Sequence, residues 1–258
     1  MLFSGEKEPV NLFTVKENRK LSQRYHLLIL EGELENPLPG QFVMVRAWPG
    51  FDPLLARPFS IHDHEPDKLS LLFEVKGRGT KLLAALEPGA KVEVLGPLGQ
   101  GFPEVNSGEV ILVAGGIGIA PFFWTAKKLK EKGLQINLFY GARTKNDFLR
   151  LKEFEDLGIS LNLSTEDGSL GFKGFVTEPL KGYLHEPGEK IIFACGPMPM
   201  LSAVAKVAKD LGVRAYVSLE AHMACGLGMC LGCVVKRQER GYLHVCSEGP
   251  VVPAERVF

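Results

Sequence analysis

Several things are missing from this sequence, and each gap removes a class of protein. Neither charge is in excess: 30 Lys and Arg stand against 30 Asp and Glu, for a formal net charge of zero. A nucleic-acid binder carries a basic patch or stripe that would tilt this balance, so no nucleic-acid partner is expected. No apolar run approaches the ~20 residues needed to span a bilayer. The first residues, "MLFSGEKEPVNLF", lack the basic stretch and apolar run of a secretory signal. A cytoplasmic protein without a membrane partner is therefore expected. Internal repeats and low-complexity segments are also missing. Cysteine is scarce, at five residues in 258, yet three of the five crowd into nine residues of "EAHMACGLGMCLGC", Glu220 to Cys233. In a reducing compartment such a cluster binds metal or does redox chemistry more often than it forms disulfides.

What is present reads as two architectures in series. "VNLFTVKEN", "RYHLLIL", "GQFVMVRAW", "KLSLLFEV" and "AKVEVLGPLG" are short runs rich in Val, Leu and Phe, bounded by Gly, Pro or Asn. Their regular spacing predicts an antiparallel β barrel over residues 1–103, with a short helix near Thr80 to Leu86. After the Gly/Pro-rich "GPLGQGFPEVNSGE", strands alternate with helices. "VILVAGG" is a continuous apolar run, as a strand buried on both faces requires. Phe122, Ala126 and Leu129 share one side of the helix that follows, and Leu201, Val204, Ala208 and Leu211 share one side of a later helix. Residues 104–220 are thus expected as an α/β, parallel-sheet domain of nucleotide-binding type. Residues 221–258, with the cysteines, form a small third unit.

Two glycine-rich turns fall at the ends of expected parallel strands. "GGIGIAP" contains Gly115, Gly116 and Gly118, and "CGPMPM" begins Cys195, Gly196, Pro197. Glycine lets backbone approach a phosphate, and a helix N-terminus offers unpaired N–H groups; a plain tight turn is the alternative. Two such turns mark the crevice where open α/β sheets bind ligands. In the barrel, "RPFSI" supplies Arg57 to clamp a pyrophosphate, Phe59 to pack beside a cofactor and Ser60 to approach a flavin ring. "VKGRGT", Val75 to Thr80, is a further glycine-rich turn into a helix. "STEDGS" places Glu166 and Asp167 at a strand end, where a carboxylate would accept from a ribose 2′-hydroxyl and repel a 2′-phosphate. That favours NAD over NADP, with Arg143 the counter-indication.

The order of these motifs resembles the ferredoxin–NADP reductase superfamily along nearly the whole chain. That family joins a flavin barrel bearing R-x-[FY]-S to a nicotinamide domain bearing G-G-x-G-x-A-P and C-G-P. They stand here as Arg57-Pro58-Phe59-Ser60, as Gly115 to Pro121, and as Cys195-Gly196-Pro197. The resemblance implies FAD in the barrel, held at its phosphates by Gly77, Gly79 and Thr80, with NAD stacked against it. It also puts Cys195 near the nicotinamide rather than on iron.

The remaining cysteines then take a pattern. Cys225-x4-Cys230-x2-Cys233, with Cys246 further on, matches plant-type [2Fe–2S] spacing. Gly226, Gly228 and Gly232 would let the loop curl around a cluster and turn N–H groups to its sulfurs. Zinc sites pair two short knuckles instead, and four available cysteines disfavour a Rieske centre with two histidines. A reductase core with its own cluster resembles the electron-transfer subunits of NAD-linked dihydroorotate dehydrogenases, in the segment "SLEAHMACGLGMCLGCVVK" above all. The resemblance implies a heterotetramer with an FMN-containing catalytic subunit that oxidises dihydroorotate in pyrimidine biosynthesis. Electrons would pass through the cluster and FAD to NAD⁺, with Ser60 beside the flavin. Small subunits of bifurcating ferredoxin:NADP oxidoreductases and of sulfhydrogenases share the plan, some with Asp as first ligand where this chain has Cys225. From another class, a nucleotide sensor with a structural metal also fits the fold motifs. His62 and His64 are expected as turn or surface groups, His222 and His244 as packing near the cluster, and Lys127, Lys128 and Lys130 as a solvated helix face. Met223, Leu227, Met229 and Leu231 would shield the cluster or meet a partner.

Overall fold

The computed structural model describes residues 10–258, so the first nine residues of the segment assigned to the barrel lie outside the described residues. The barrel comprises β1 (Val10–Lys20), β2 (Tyr25–Glu31), β3 (Phe42–Arg46), β4 (Arg57–Ser60), β5 (Asp63–Glu65), β6 (Lys68–Glu74), helix α1 (Arg78–Ala84) and β7 (Lys91–Leu98). Side chains two apart on a strand share a face, and Phe13 with Val15, Val43 with Val45, and Val92 with Val94 fill the interior that way. The sheet order is β4-β3-β7-β1-β2-β6-β5. β4 and β5 are consecutive in the chain yet lie at opposite edges. The two residues between them close the sheet. The Ile61 N–H donates to Gln41 O at 3.1 Å on the β3 side, and the His62 N–H to Ser70 O at 2.9 Å on β6.

The second sheet is built from β8 (Glu109–Gly115), β9 (Gln135–Ala142), β10 (Ser160–Thr165), β11 (Phe172–Lys173), β12 (Lys190–Cys195) and β13 (Arg214–Ser218), with α2 (Phe122–Glu131), α3 (Leu151–Asp156), α4 (Thr177–Leu184) and α5 (Met198–Asp210) between them. From β11 to β13 all neighbours are parallel, in the order β11-β10-β9-β8-β12-β13. The order reverses between β8 and β12, whose carboxyl ends are Gly115 and Cys195. Phe122, Ala126 and Leu129 of α2 are buried, as are Leu201, Val204 and Ala208 of α5. Each large apolar side chain so buried contributes ~1.5–3 kcal/mol.

The last segment holds the hairpin β14 (Val234–Lys236) and β15 (Tyr242–His244), then α6 (Val245–Glu248) and β16 (Val251–Pro253). It is stitched to both larger units. β16 adds an antiparallel edge to β13, and the Gln100 N–H, just past the barrel, donates to Gly249 O at 2.5 Å. Among the described residues no helix is long and apolar enough to cross a membrane.

Candidate active site and metal centre

Between barrel and parallel sheet runs a cleft of about 240 Å³, placed where a small-molecule site forms between two packed units. β4 forms one wall with Arg57, Pro58, Phe59 and Ser60, and Ile117, Ala120, Pro121 and Cys195 form the other. Both walls are therefore elements that sequence motifs singled out. Nη1 of Arg57 is held by Leu55 O at 2.5 Å and Ala56 O at 3.3 Å, and its guanidinium lies over Trp48 at 5.8 Å. Among the described residues nothing accepts from Nη2. Phe59 packs on Phe73 at 5.5 Å. Oγ1 of Thr80 closes the turn before α1, accepting N–H bonds from Lys76 and Gly77 at 3.0 Å each. Gly79 is buried under Arg57; a Cβ there would lie 2.9 Å from its Nε. Val75 packs on the barrel core and Gly77 faces open space; neither lines the cleft. A clamped arginine with a free N–H edge, an aromatic wall and a hydroxyl fit a flavin with its pyrophosphate.

Two glycines of these turns are demanded by packing. A Cβ on Gly118 would meet Gly196 Cα at 2.8 Å and the Cys195 carbonyl closer still, and one on Gly115 would meet Pro197 Cδ at 2.9 Å. Their missing side chains let the turns after β8 and β12 lie against each other, forming the floor of the crevice. Gly116 differs: its φ is 54° and nothing lies within 4 Å, so it serves the left-handed backbone and leaves room above it. Buried Tyr140 pins that turn by donating to Gly116 O at 3.0 Å. Cys195 is buried, and burial pushes its thiol well above the ordinary range.

Glu166 and Asp167 lie exposed beyond β10, two strands from β8, apart from the cleft residues. Asp167 is engaged locally: Oδ1 accepts from the Ser169 hydroxyl at 2.7 Å and the Ser169 N–H at 2.9 Å, which hold its carboxyl below the usual range. Glu166 is the carboxylate left for a ligand hydroxyl.

The four C-terminal cysteines fall into two pairs. Sγ of Cys225 is 3.4 Å from Sγ of Cys230, and Sγ of Cys233 is 3.1 Å from Sγ of Cys246. Disulfides require ~2.05 Å, so all four are thiols. Among the described residues no group of three His, Cys, Asp or Glu is arranged to hold a metal ion. Four thiols in two separate pairs suit two bridged irons better than one tetrahedral zinc. Backbone N–H groups already point at the sulfurs: Leu227 and Cys230 to Cys225 at 3.4 Å, Gly228 to Cys246 at 3.1 Å, and Cys246 to Cys233 at 3.3 Å. The first two bring the Cys225 thiol down to about 6. Burial and the neighbouring Cys233 push Cys246 up to about 11, a proton that metal binding would have to displace. Gly226 and Gly228 take the left-handed backbone, at φ 71° and 77°, but the third such residue is Leu231 at 56°, not Gly232.

The loop is also seated on the barrel, which its sequence did not announce. A Cβ on Gly226 would lie 2.7 Å from Met44 Cγ, and Met44 pairs with Pro58 across β3 and β4. Met223 and Glu220 line the cleft itself; Glu220 stood out in the sequence only as a flank of the cysteine loop. His62 departs furthest from expectation. It is fully buried, not a turn or surface group, and burial pulls its pKa down to about 3. The ring is therefore neutral, and its Nδ1–H donates to Ala120 O at 2.7 Å. Lys127 leaves the solvated face of α2 to hold both Asp63 oxygens, at 2.8 and 3.0 Å, while Lys128 and Lys130 stay exposed.

Comparison with known proteins agrees with this geometry. A family model described as the iron-sulfur cluster binding domain of dihydroorotate dehydrogenase B matches residues 220–258, and one described as an oxidoreductase NAD-binding domain matches residues 112–206. The dihydroorotate dehydrogenase B (NAD(+)) electron transfer subunits of Caldanaerobacter subterraneus and Clostridium acetobutylicum are each 39% identical, over 95% of this chain and 96% of theirs. The solved NADH-dependent reduced ferredoxin-NADP oxidoreductase, studied for flavin-based electron bifurcation, superposes with a TM-score of 0.86 at 31% identity, over 96% of this chain and 90% of that one. A Neisseria gonorrhoeae ferredoxin NADP⁺ reductase with bound FAD and NADP shares the fold at a TM-score of 0.66 and 16% identity, over 80% of this chain and 93% of that one. With relatives this similar along nearly its whole length, the chain belongs to the family of dihydroorotate dehydrogenase B electron transfer subunits.

Proposed function

We propose that this chain is the electron-transfer subunit of a cytoplasmic, NAD-linked dihydroorotate dehydrogenase, working with an FMN-bearing catalytic subunit in pyrimidine biosynthesis. The groups it holds supply the redox chemistry: a [2Fe–2S] cluster carries single electrons, NAD⁺ takes hydride, and FAD exchanges both. Cys225, Cys230, Cys233 and Cys246 hold the irons. Arg57 and Thr80 hold the FAD phosphate end, Phe59 backs the ring, and Ser60 lies where hydride moves. Gly115, Gly116 and Gly118, with Cys195, Gly196 and Pro197, shape the nicotinamide floor. Val75 and Gly79 back the wall behind the flavin phosphates, and Gly77 leaves space beside them. The observation that carries this reading is the contiguity of cluster loop and cleft: Met223, two residues before Cys225, lines the cleft, and Gly226 rests on Met44 behind it.

The division of labour is directly testable. Alone, the chain should pass electrons from NADH to ferricyanide but should not oxidise dihydroorotate. Adding the FMN subunit should restore NAD⁺ reduction by dihydroorotate. Met229 and Leu231 on the cluster loop are 80% and 59% exposed, an apolar surface suited to that subunit. Leu231→Glu should weaken the productive complex on the order of tenfold, as a charge at an interface anchor does, while ferricyanide reduction is unchanged. Dihydroorotate oxidation by the chain alone would refute the assignment. Coupling to a ferredoxin or hydrogenase partner instead would move it to the bifurcating or sulfhydrogenase subunits.

Glu166 is proposed to meet the cofactor ribose, with Asp167, held by Ser169, adding its charge beside it. Like charges set side by side cost several kcal/mol, so kcat/KM for NADH should exceed that for NADPH by at least about tenfold. Glu166→Gln should narrow the ratio. A wild-type preference for NADPH would show that Arg143 governs the site.

A further inference from the structure

His62 occupies a junction that neither the cleft nor the cluster explains. It is one of the two residues that close the barrel, and it stands two residues after Ser60. Its backbone carbonyl accepts the N–H of Trp124 at 3.0 Å. That N–H belongs to the first turn of α2, where helix donors have no partner within the helix; Pro121, at the head of α2, provides no side-chain cap. The barrel therefore caps the helix of the other domain. The His62 side chain adds a second bond, donating Nδ1–H to Ala120 O at 2.7 Å, and its ring stacks on Phe123 at 5.4 Å. Next to it, Asp63 takes Lys127 of the same helix. Ala120 lies between Ile117 and Pro121, all three on the wall opposite Ser60.

We infer that His62 is a positioning residue for hydride transfer: its bond to Ala120 sets the spacing between the Ser60 wall and the nicotinamide turn. The apolar packing between the domains, through Tyr25, Leu27 and Leu72, is broad and without direction. The hydrogen bond is directional, and it extends to Ala120 the register that the Trp124 cap and the pair of Lys127 with Asp63 set along α2. Because the backbone cap to Trp124 remains whatever side chain stands at 62, the side chain can be altered without releasing α2.

The inference rests on the nicotinamide assignment above, and the wild-type protein tests that assignment separately, by whether NADH reduces its flavin at all. Two variants test His62. His62→Phe keeps a ring for Phe123 and removes the donor; His62→Asn keeps an amide donor near Nδ1. In the assembled complex, His62→Phe should retain FAD and iron and bind NAD⁺ with nearly unchanged affinity. Its limiting rate of flavin reduction by NADH should fall on the order of tenfold to a hundredfold, the effect of about 1 Å of misplacement. Hydrogen exchange across residues 117–124 should quicken. His62→Asn should restore both rate and protection. A His62→Phe rate equal to wild type overturns the inference. So does loss of FAD or iron in that variant, or failure of His62→Asn to rescue, since either marks a role in packing alone.

Discussion

Replacing Cys230 with serine is expected to empty the iron–sulfur site while FAD stays bound. The wild-type chain, purified without oxygen, should carry about two irons and two labile sulfides. Cys230 is one half of an exposed pair with Cys225, and serine offers a harder ligand that keeps its proton near neutral pH. One iron would lose half of its protein ligands, and a two-iron cluster does not survive the loss of one iron. FAD should remain because the flavin wall does not depend on the loop. β4 is fixed to β3 by its own backbone pairing, Phe42 to Ser60 and Met44 to Pro58, whether or not Gly226 rests on Met44. NADH should still reduce ferricyanide, and dihydroorotate should no longer reduce NAD⁺. Cys195→Ser is the contrast. Cys195 ends β12 and lines the cleft, so its replacement should leave iron content intact and disturb only the nicotinamide reaction. Iron loss in the Cys195 variant would overturn the ligand assignment.

The parts of the site that were legible in the sequence are those whose logic is local. Three of the four proposed cluster ligands fall within one loop, so the spacing from Cys225 to Cys233 announces them, and the flanking glycines announce the curl. The turns after β8 and β12 were legible as turns for the same reason. Their glycines carry a second meaning that the sequence does not show. Gly115 and Gly118 point to a phosphate when read along the chain, yet it is the meeting of two distant turns that demands them. Short-range patterns carry no information about what packs against a turn from eighty residues away. His62 was illegible on the same grounds. A histidine after R-P-F-S has no periodic or motif signature, and its burial exists only once α2 docks on the barrel. Strand β5, three residues long, likewise has too little sequence to declare itself apart from the closure that uses it. Leu231 shows the reverse case: the left-handed backbone between two cluster ligands falls on a leucine although a glycine stands beside it. An exposed apolar side chain kept in a conformation that costs ~1–2 kcal/mol fits a residue retained for what it touches outside the chain.

Gly118→Ala is expected to damage the nicotinamide reaction severely. Its φ is not in the left-handed region, so backbone preference does not forbid alanine; space does. The new Cβ would sit 2.8 Å from Gly196 Cα and closer to the Cys195 carbonyl. These are backbone atoms of a strand end, fixed by the β8–β12 pairing, and cannot swing aside as a side chain would. The two turns must part by about 1 Å, with overpacking that costs ~1–3 kcal/mol of stability. On the proposed assignment such a displacement falls at the nicotinamide floor, where misplacement of that size would lower rates on the order of a hundredfold. FAD and iron contents should be unchanged, because neither β4 nor the cluster loop borders Gly118. Gly116→Ala separates space from backbone. Nothing lies within 4 Å of that position but its φ is 54°, so alanine there should cost only the ~1–2 kcal/mol of a left-handed residue, with a much smaller loss of rate. Single-turnover flavin reduction by NADH, measured beside thermal unfolding for both variants, distinguishes the two effects. Wild-type kinetics in Gly118→Ala would mean that the contact between the turns does not shape the nicotinamide floor.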